Sequence, residues 1–245
     1  MTGAHRWANI VSPHRDDAAL SLTCTLRGLV DHQVDVRILS CFTLTSWAPR
    51  LPQVRVEDIV VLREQEDLQY AEFIGVRGLE SLGCEDAPLR SDWRITDGVL
   101  QPPDPATKQP LIDALQRKLL AHRRQGCAWF IPMAHSHRDH FLARSAALGA
   151  AQGDPVCIYE DVPYSLEVPA DEASSRVAML RDTLGCELSP RTLHDTFDPA
   201  LWLAGMSHYA SQFTQEELES VCQMLAARGG ERIWTTEAFD RWIDA

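Results

Sequence analysis

Positive charge is scarce in this 245-residue sequence: 23 Lys and Arg stand against 35 Asp and Glu, a formal net charge of −12. Proteins that track nucleic-acid phosphates draw on clustered Lys and Arg, so this balance argues against a nucleic-acid partner. No basic run offers itself to an anionic membrane, and no apolar stretch approaches the roughly 18 residues that span a bilayer. The first residues lack the basic start and long apolar segment of a secretory leader, so the expectation is a soluble, cytoplasmic protein. Seven cysteines form no C-x-x-C pair. Several lie inside apolar runs, where a thiol behaves as a small hydrophobe, and they are expected to be reduced. Internal repeats and low-complexity tracts are absent, as is the glycine-rich dinucleotide fingerprint after the first apolar run, which argues against a nicotinamide enzyme.

What remains is an ordinary globular composition, 45% apolar and 24% charged, at a length that suits one α/β domain. Short apolar runs rich in β-branched residues alternate with segments of helical spacing, the pattern of βα units feeding a parallel sheet covered by helices. Strands are predicted at Trp7–Val11, Val34–Cys41, Cys127–Met133 and Pro155–Tyr159, with a weaker one at Arg191–Thr196. Helices are predicted near Ala18–Asp31, Val54–Ile74, Pro110–Arg123 and Phe141–Gln152. Thr43–Gln53 reads as a loop over the strand ends, and Gly83–Thr107 as a surface excursion that shapes a pocket. Thr214 to Glu217 form a capping box that opens a helix. Residues from about 200 to 245 read as a C-terminal helical extension of a single domain, anchored by Trp202, Trp234, Phe239 and Trp242.

Two polar clusters follow predicted strands: Pro13-His14-Arg15-Asp16-Asp17 after the first, and His135-Ser136-His137-Arg138-Asp139-His140 after the third. Ligands of open α/β sheets bind beyond the carboxyl ends of the strands, so both clusters point to one shared site. His14 and Asp17 are three residues apart at a strand-to-helix turn, which lets both face one point while Asp16 projects elsewhere and handles protons. A third ligand from the second cluster, His140, would complete the three-ligand arrangement of a catalytic zinc with an open position. The same residue types also serve as helix caps, and Asp16, Asp17 and Asp139 can each be read that way.

Ser12 to Ser21 resemble the Pro-His-x-Asp-Asp signature of the N-acetylglucosaminylphosphatidylinositol de-N-acetylase family, also called PIG-L or LmbE-like, and His137-Arg138-Asp139-His140 is similar to its His-x-Asp-His motif. Further likenesses follow in family order: Arg63-Glu64-Gln65-Glu66 with Ala71 and Ile74 to Val76, Asp86 to Arg90, Tyr159 to Tyr164, and Tyr209 to Gln212. The resemblance implies a Rossmann-like three-layer sandwich with a mostly parallel sheet. It implies a zinc-dependent hydrolase that removes an acyl group from an amino-sugar nitrogen, with another divalent metal such as Fe2+ as an alternative. By motif position, His14, Asp17 and His140 would hold the metal, Asp16 would be the general base, and His137 would stabilise the oxyanion or protonate the leaving amine. Substrate contacts would come from Asp86, which resembles a residue that meets the sugar hydroxyls, with Arg90 beside it.

Ala18 stands where many members carry a glutamate, and the segment Ser40 to Trp47 replaces a threonine- and glycine-containing stretch that lies over the site. Arg15 takes a position where proline or an apolar residue is frequent, and reads either as a contact for an anionic substrate group or as an exposed salt-bridging arginine. Tyr159 and Glu160 end a strand and can line the pocket or be buried. His135 is the alternative to His137, without the family spacing, and His5, His32, His122, His194 and His208 show no partner pattern. Two other functions share these residues: an α/β module that binds a sugar or nucleotide without turnover, and a non-haem iron oxygenase, whose facial triad also uses two histidines and a carboxylate but on a β-rich barrel.

Overall fold

The apolar run that ends at the first motif folds as β1 (Trp7–Ser12), buried from Ala8 onward. The protein is seen in a computed structural model that describes residues 6–90, 105–193 and 197–245. β1 lies at the centre of a sheet, pairing in parallel with β2 (Asp35–Ser40) on one side and β4 (Cys127–Pro132) on the other. Beyond β2 comes β3 (Gly78–Ser81), and beyond β4 comes β5 (Val156–Tyr159), both parallel. Two short strands complete the edge: β7 (Ile233–Thr235) runs antiparallel to β5, and β6 (Ser189–Arg191) antiparallel to β7. The order is β3-β2-β1-β4-β5-β7-β6. Chain crossovers diverge between β1 and β4, and a crevice opens there at the carboxyl ends.

Helices cover both faces. On one, α1 (Asp17–Asp31), α2 (Val56–Ile74), α7 (Pro199–Met206), α8 (Gln215–Ala227) and α9 (Glu237–Ile243) pack a core that includes Ile10, Ile38, Phe130, Trp202 and Phe239. On the other, α3 (Pro105–Leu120), α4 (Arg138–Ala150) and α6 (Ala170–Leu184) enclose Trp129, Ile131, Leu115, Leu142 and Leu180. This is the expected three-layer α/β sandwich, and it is not the β-rich barrel of the oxygenase alternative. A single-turn α5 (Tyr164–Glu167) follows β5.

α1 is not straight. Leu22 leaves helical geometry (φ −141°, ψ 15°), and the freed amides of Cys24 and Thr25 donate to the buried Glu231 carboxylate at 2.7 and 2.9 Å. The first half of the helix is thereby aimed by a residue from the far end of the chain. Thr214 and Glu217 form the predicted capping box at the start of α8.

Several expectations need correction. The strand expected at Arg191–Thr196 is β6, which ends at Arg191; residues 194–196 lie outside the described residues, as do His5 and most of the Gly83–Thr107 excursion. Pro110 lies inside α3 rather than at its start, and α4 begins at Arg138, earlier than Phe141. The segment read as a helical extension also supplies β7 to the central sheet. Its Trp202 and Phe239 are buried anchors, Trp202 Nε1 donating to the Leu20 carbonyl at 3.0 Å and Phe239 meeting Phe130 edge-on at 5.2 Å between ring centres. No helix among the described residues is long and apolar enough to cross a membrane, and all seven cysteines are free.

Candidate metal and catalytic site

The two motifs meet. β1 delivers His14, Asp16 and Asp17 to the crevice, and the turn after β4 delivers His137, Asp139 and His140. Asp17 Oδ2 sits 3.1 Å from His14 Nδ1 and 3.1 Å from His140 Nε2. Metal–ligand bonds of about 2.0–2.2 Å place neighbouring ligand atoms roughly 3–3.4 Å apart, so these separations suit three groups around one ion. His140 Nε2 is close to Asp17 yet has no hydrogen-bond partner. Two atoms that face a common point rather than each other would be placed in this way.

Each of these histidines turns its second nitrogen to a buried carboxylate. His14 Nε2 lies 3.2 Å from Asp139 Oδ2, and His140 Nδ1 lies 2.7 Å from Asp161 Oδ1. Such partners set the tautomer and orientation of a metal-binding imidazole. Burial alone would lower both histidines, but Asp139 and Asp17 raise His14 to about 10, and Asp17 and Asp161 raise His140 to about 9. Asp17, although buried, is held well below the usual carboxylate range by His140 and His14.

Asp161 was not singled out in the sequence. It also accepts the Ala134 amide at 2.6 Å and the His135 amide at 3.3 Å. Ala134 has φ 62°, a left-handed conformation that costs a residue with a Cβ about 1–2 kcal/mol. That bend turns the chain from β4 into the second motif.

The capping reading does not hold for Asp16 or Asp139. Asp16 makes no cap bond in α1; its Oδ1 accepts from Arg63 at 2.9 Å, with Arg63 itself buried. Asp139 accepts from His14, the Ala87 amide and Arg90. The cap of α4 is His137, whose Nδ1 accepts the Asp139 amide at 3.2 Å. An Nδ1 that accepts leaves the proton on Nε2. Burial, then repulsion from His14 and His140, holds His137 down to about 3. The ligand atoms of His14, His137 and His140 lie within 4.8 Å of one another, so His137 is also near enough to be counted with the metal cluster.

A pocket of about 360 Å³ opens over these groups, lined by His14, Asp16, Asp17, Arg63, Asp86 and His137, with Trp47, Tyr164 and Phe213 farther round. Its volume lies in the range of small-molecule sites, about 300–1,000 Å³. Asp86 is buried, its Oδ1 has no partner, and burial raises its carboxyl above the ordinary value.

Three expected substrate contacts are placed elsewhere. Tyr159 is fully buried and its hydroxyl donates to the Val11 carbonyl at 2.7 Å; the pocket aromatic is Tyr164, five residues on. Arg15 is neither exposed nor aimed at substrate: it is buried and pairs with Asp67 at 3.0 Å. Arg90 is turned to Asp139 and the Glu85 carbonyl. Glu160 pairs with Arg228 at 3.1 Å, and His135 is buried with neither ring nitrogen hydrogen-bonded, apart from the cluster.

The family described as PIG-L, GlcNAc-PI de-N-acetylase, matches residues 9–151. No curated protein matches the sequence. Among solved structures, a teicoplanin deacetylase in its zinc-inhibited form is 20% identical with a TM-score of 0.68, covering 94% of this chain and 97% of its own. An A40926 pseudoaglycone deacetylase is 21% identical with a TM-score of 0.67, covering 95% and 97%. The N,N'-diacetylchitobiose deacetylase of Pyrococcus horikoshii is 16% identical with a TM-score of 0.54, covering 96% and 83%. At these identities the likeness is one of fold.

Proposed function

This chain belongs to the PIG-L, GlcNAc-PI de-N-acetylase family, and we propose that it is a metal-dependent N-deacetylase that removes an acetyl or related acyl group from the nitrogen of an N-acetylglucosamine-type glycoconjugate or a related small amide. One observation carries the reading: His14 and His140 each present one nitrogen at 3.1 Å from Asp17 Oδ2 while a buried aspartate takes the other. Solved neighbours named as a teicoplanin deacetylase, an A40926 pseudoaglycone deacetylase and an N,N'-diacetylchitobiose deacetylase are in keeping with that reading.

His14, Asp17 and His140 would hold zinc or iron(II), which when bound lowers the pKa of water and polarises an amide carbonyl. Asp16 receives the proton of the attacking water. Arg63 occupies its Oδ1, which leaves Oδ2 as the accepting atom and fixes the plane of the carboxylate. His137 Nε2–H is the donor that meets the negative charge growing on the amide oxygen, a contact that contributes about 3 kcal/mol of transition-state stabilisation. The leaving nitrogen needs a proton, and the carboxyl of Asp16 carries one after the first step. Asp86, with an unpartnered buried oxygen in the pocket, accepts from sugar hydroxyls.

The test is amine release from a panel of N-acyl amino sugars, with zinc and iron(II) titrated rather than added in excess, because one similar structure is of a zinc-inhibited form. Metal-loaded wild type should release free amine and acetate, and Asp16→Asn should lower kcat by about 10²–10⁴ with the metal retained. Binding of the whole panel without release by any metal form would refute the reading.

A further inference from the structure

Two residues stand between His14 and Asp17, and they turn in opposite directions. Asp16 lines the pocket, whereas Arg15 is buried in the protein behind it. Helix α2 meets both. Arg63 donates to Asp16 Oδ1 at 2.9 Å, and one helical turn on, Asp67 Oδ2 accepts from Arg15 at 3.0 Å. Residues four apart share a helix face, so a cation and an anion of α2 receive an anion and a cation from adjacent residues of the motif. All four side chains are buried.

Tyr209 reaches the same point from 194 residues along the chain, outside the stretch 9–151 that matches the family. Its hydroxyl lies 2.9 Å from Asp67 Oδ1 and 3.1 Å from the Arg15 carbonyl oxygen, and its one proton is shared between these acceptors. Ser40 Oγ donates to Asp67 Oδ2 at 3.3 Å. Residue 15 is thus held at both ends: by its guanidinium, and by the carbonyl of the peptide that carries the Asp16 nitrogen.

Stability does not explain this arrangement, since apolar residues of similar volume in place of a buried ion pair are often neutral or stabilising. Asp16 occupies the N-cap of α1 without a side-chain cap bond, so its own helix does not fix its carboxylate. Charge supplies the reason. With a divalent ion on His14 and Asp17, the Asp16 carboxylate faces that ion and Arg63. An unpaired Arg15, one residue away, would be a third positive centre drawing it aside. Asp67 removes that competitor, and Tyr209 keeps the Arg15–Asp16 peptide from rotating.

We propose that Asp67 and Tyr209 are positioning residues for Asp16: they fix the Arg15–Asp16 peptide and so the direction in which Asp16 Oδ2 faces the attacking water. The role of Asp16 as base rests on the deacetylase reading; its placement does not.

Tyr70 supplies a matched control. It is buried like Tyr209, their rings lie 5.6 Å apart between centres, and its hydroxyl donates to Thr23 Oγ1 at 2.9 Å. Tyr209→Phe and Tyr70→Phe therefore each delete one buried hydroxyl. Crystal structures should show the Asp16 carboxylate displaced by about 1 Å in Tyr209→Phe and in Asp67→Asn, and unmoved in Tyr70→Phe. In amine release the first two variants should lose about 10²-fold in kcat, the cost of such a misplacement, with KM and bound metal unchanged, while Tyr70→Phe keeps wild-type kcat. An unmoved Asp16 or a wild-type kcat in either of the first two, or an equal loss of kcat in Tyr70→Phe, overturns the proposal. Absence of amine release from wild type sinks the deacetylase reading, and the structures still decide the positioning.

Discussion

His140 Nδ1 and Asp161 Oδ1 are 2.7 Å apart, and neither side chain touches solvent. The same carboxylate holds the amides of Ala134 and His135, so one group orients the imidazole and fastens the turn that delivers it. Asp161→Asn keeps the volume but turns an N–H₂ toward one of these donors. Metal affinity should fall about 10–100-fold, the usual effect of removing such a partner, read by competition with a chromophoric chelator. Unchanged affinity would mean that His140 is positioned by packing alone.

For His137 the decisive measurement is metal stoichiometry. With Nδ1 occupied by the Asp139 amide, its Nε2–H is assigned to the amide oxygen. His137→Ala should therefore lower kcat by about 10²–10³ while bound metal stays at the wild-type level. Loss of the metal would instead place His137 in the ligand set with His14 and His140.

Chelation provides a stability test. A ligand that binds only the folded state stabilises it by about 2.7 kcal/mol at 100 times its Kd. Thermal melting of wild type should thus rise with free zinc or iron(II), and Asp17→Asn should flatten that dependence. A metal-dependent rise of equal size in the variant would locate the ion elsewhere.

Glu231 predicts a pH dependence far from the metal. Burial raises its carboxyl from 4.5 to about 7, against the opposing pull of the Cys24 and Thr25 donors. Because the folded value lies above the unfolded one, the contribution is complete below about 4.5 and is lost as pH rises through about 7. The difference amounts to roughly 3 kcal/mol. Denaturant melts between pH 5 and 8 should show wild type losing stability relative to Glu231→Gln as pH rises. Parallel curves would count against a titrating Glu231.

Much of this was open to sequence reading because the chemistry is local. A buried parallel strand writes itself as an apolar run, as in Cys127 to Met133 and, interrupted only by Asn9, Ala8 to Val11, and the polar residues just beyond it must lie at the sheet edge where ligands bind. Short elements left no such trace. β3 and β7 have four and three residues, too few for a period to register, and α6 buries only Leu180 fully, so its apolar stripe is faint.

Residue types and their order determined the βα alternation, the crevice and the groups gathered in it, since each follows from hydrophobic period and spacing along the chain. Tertiary structure alone decided which way the ambiguous side chains turn. Arg15 and Asp67 are 52 residues apart, Asp16 and Arg63 are 47, and Cys24 and Glu231 are 207. A buried charge must find an opposite charge or a set of hydrogen-bond donors, and that demand is met by neighbours in space, whose identity depends on packing that no local pattern encodes.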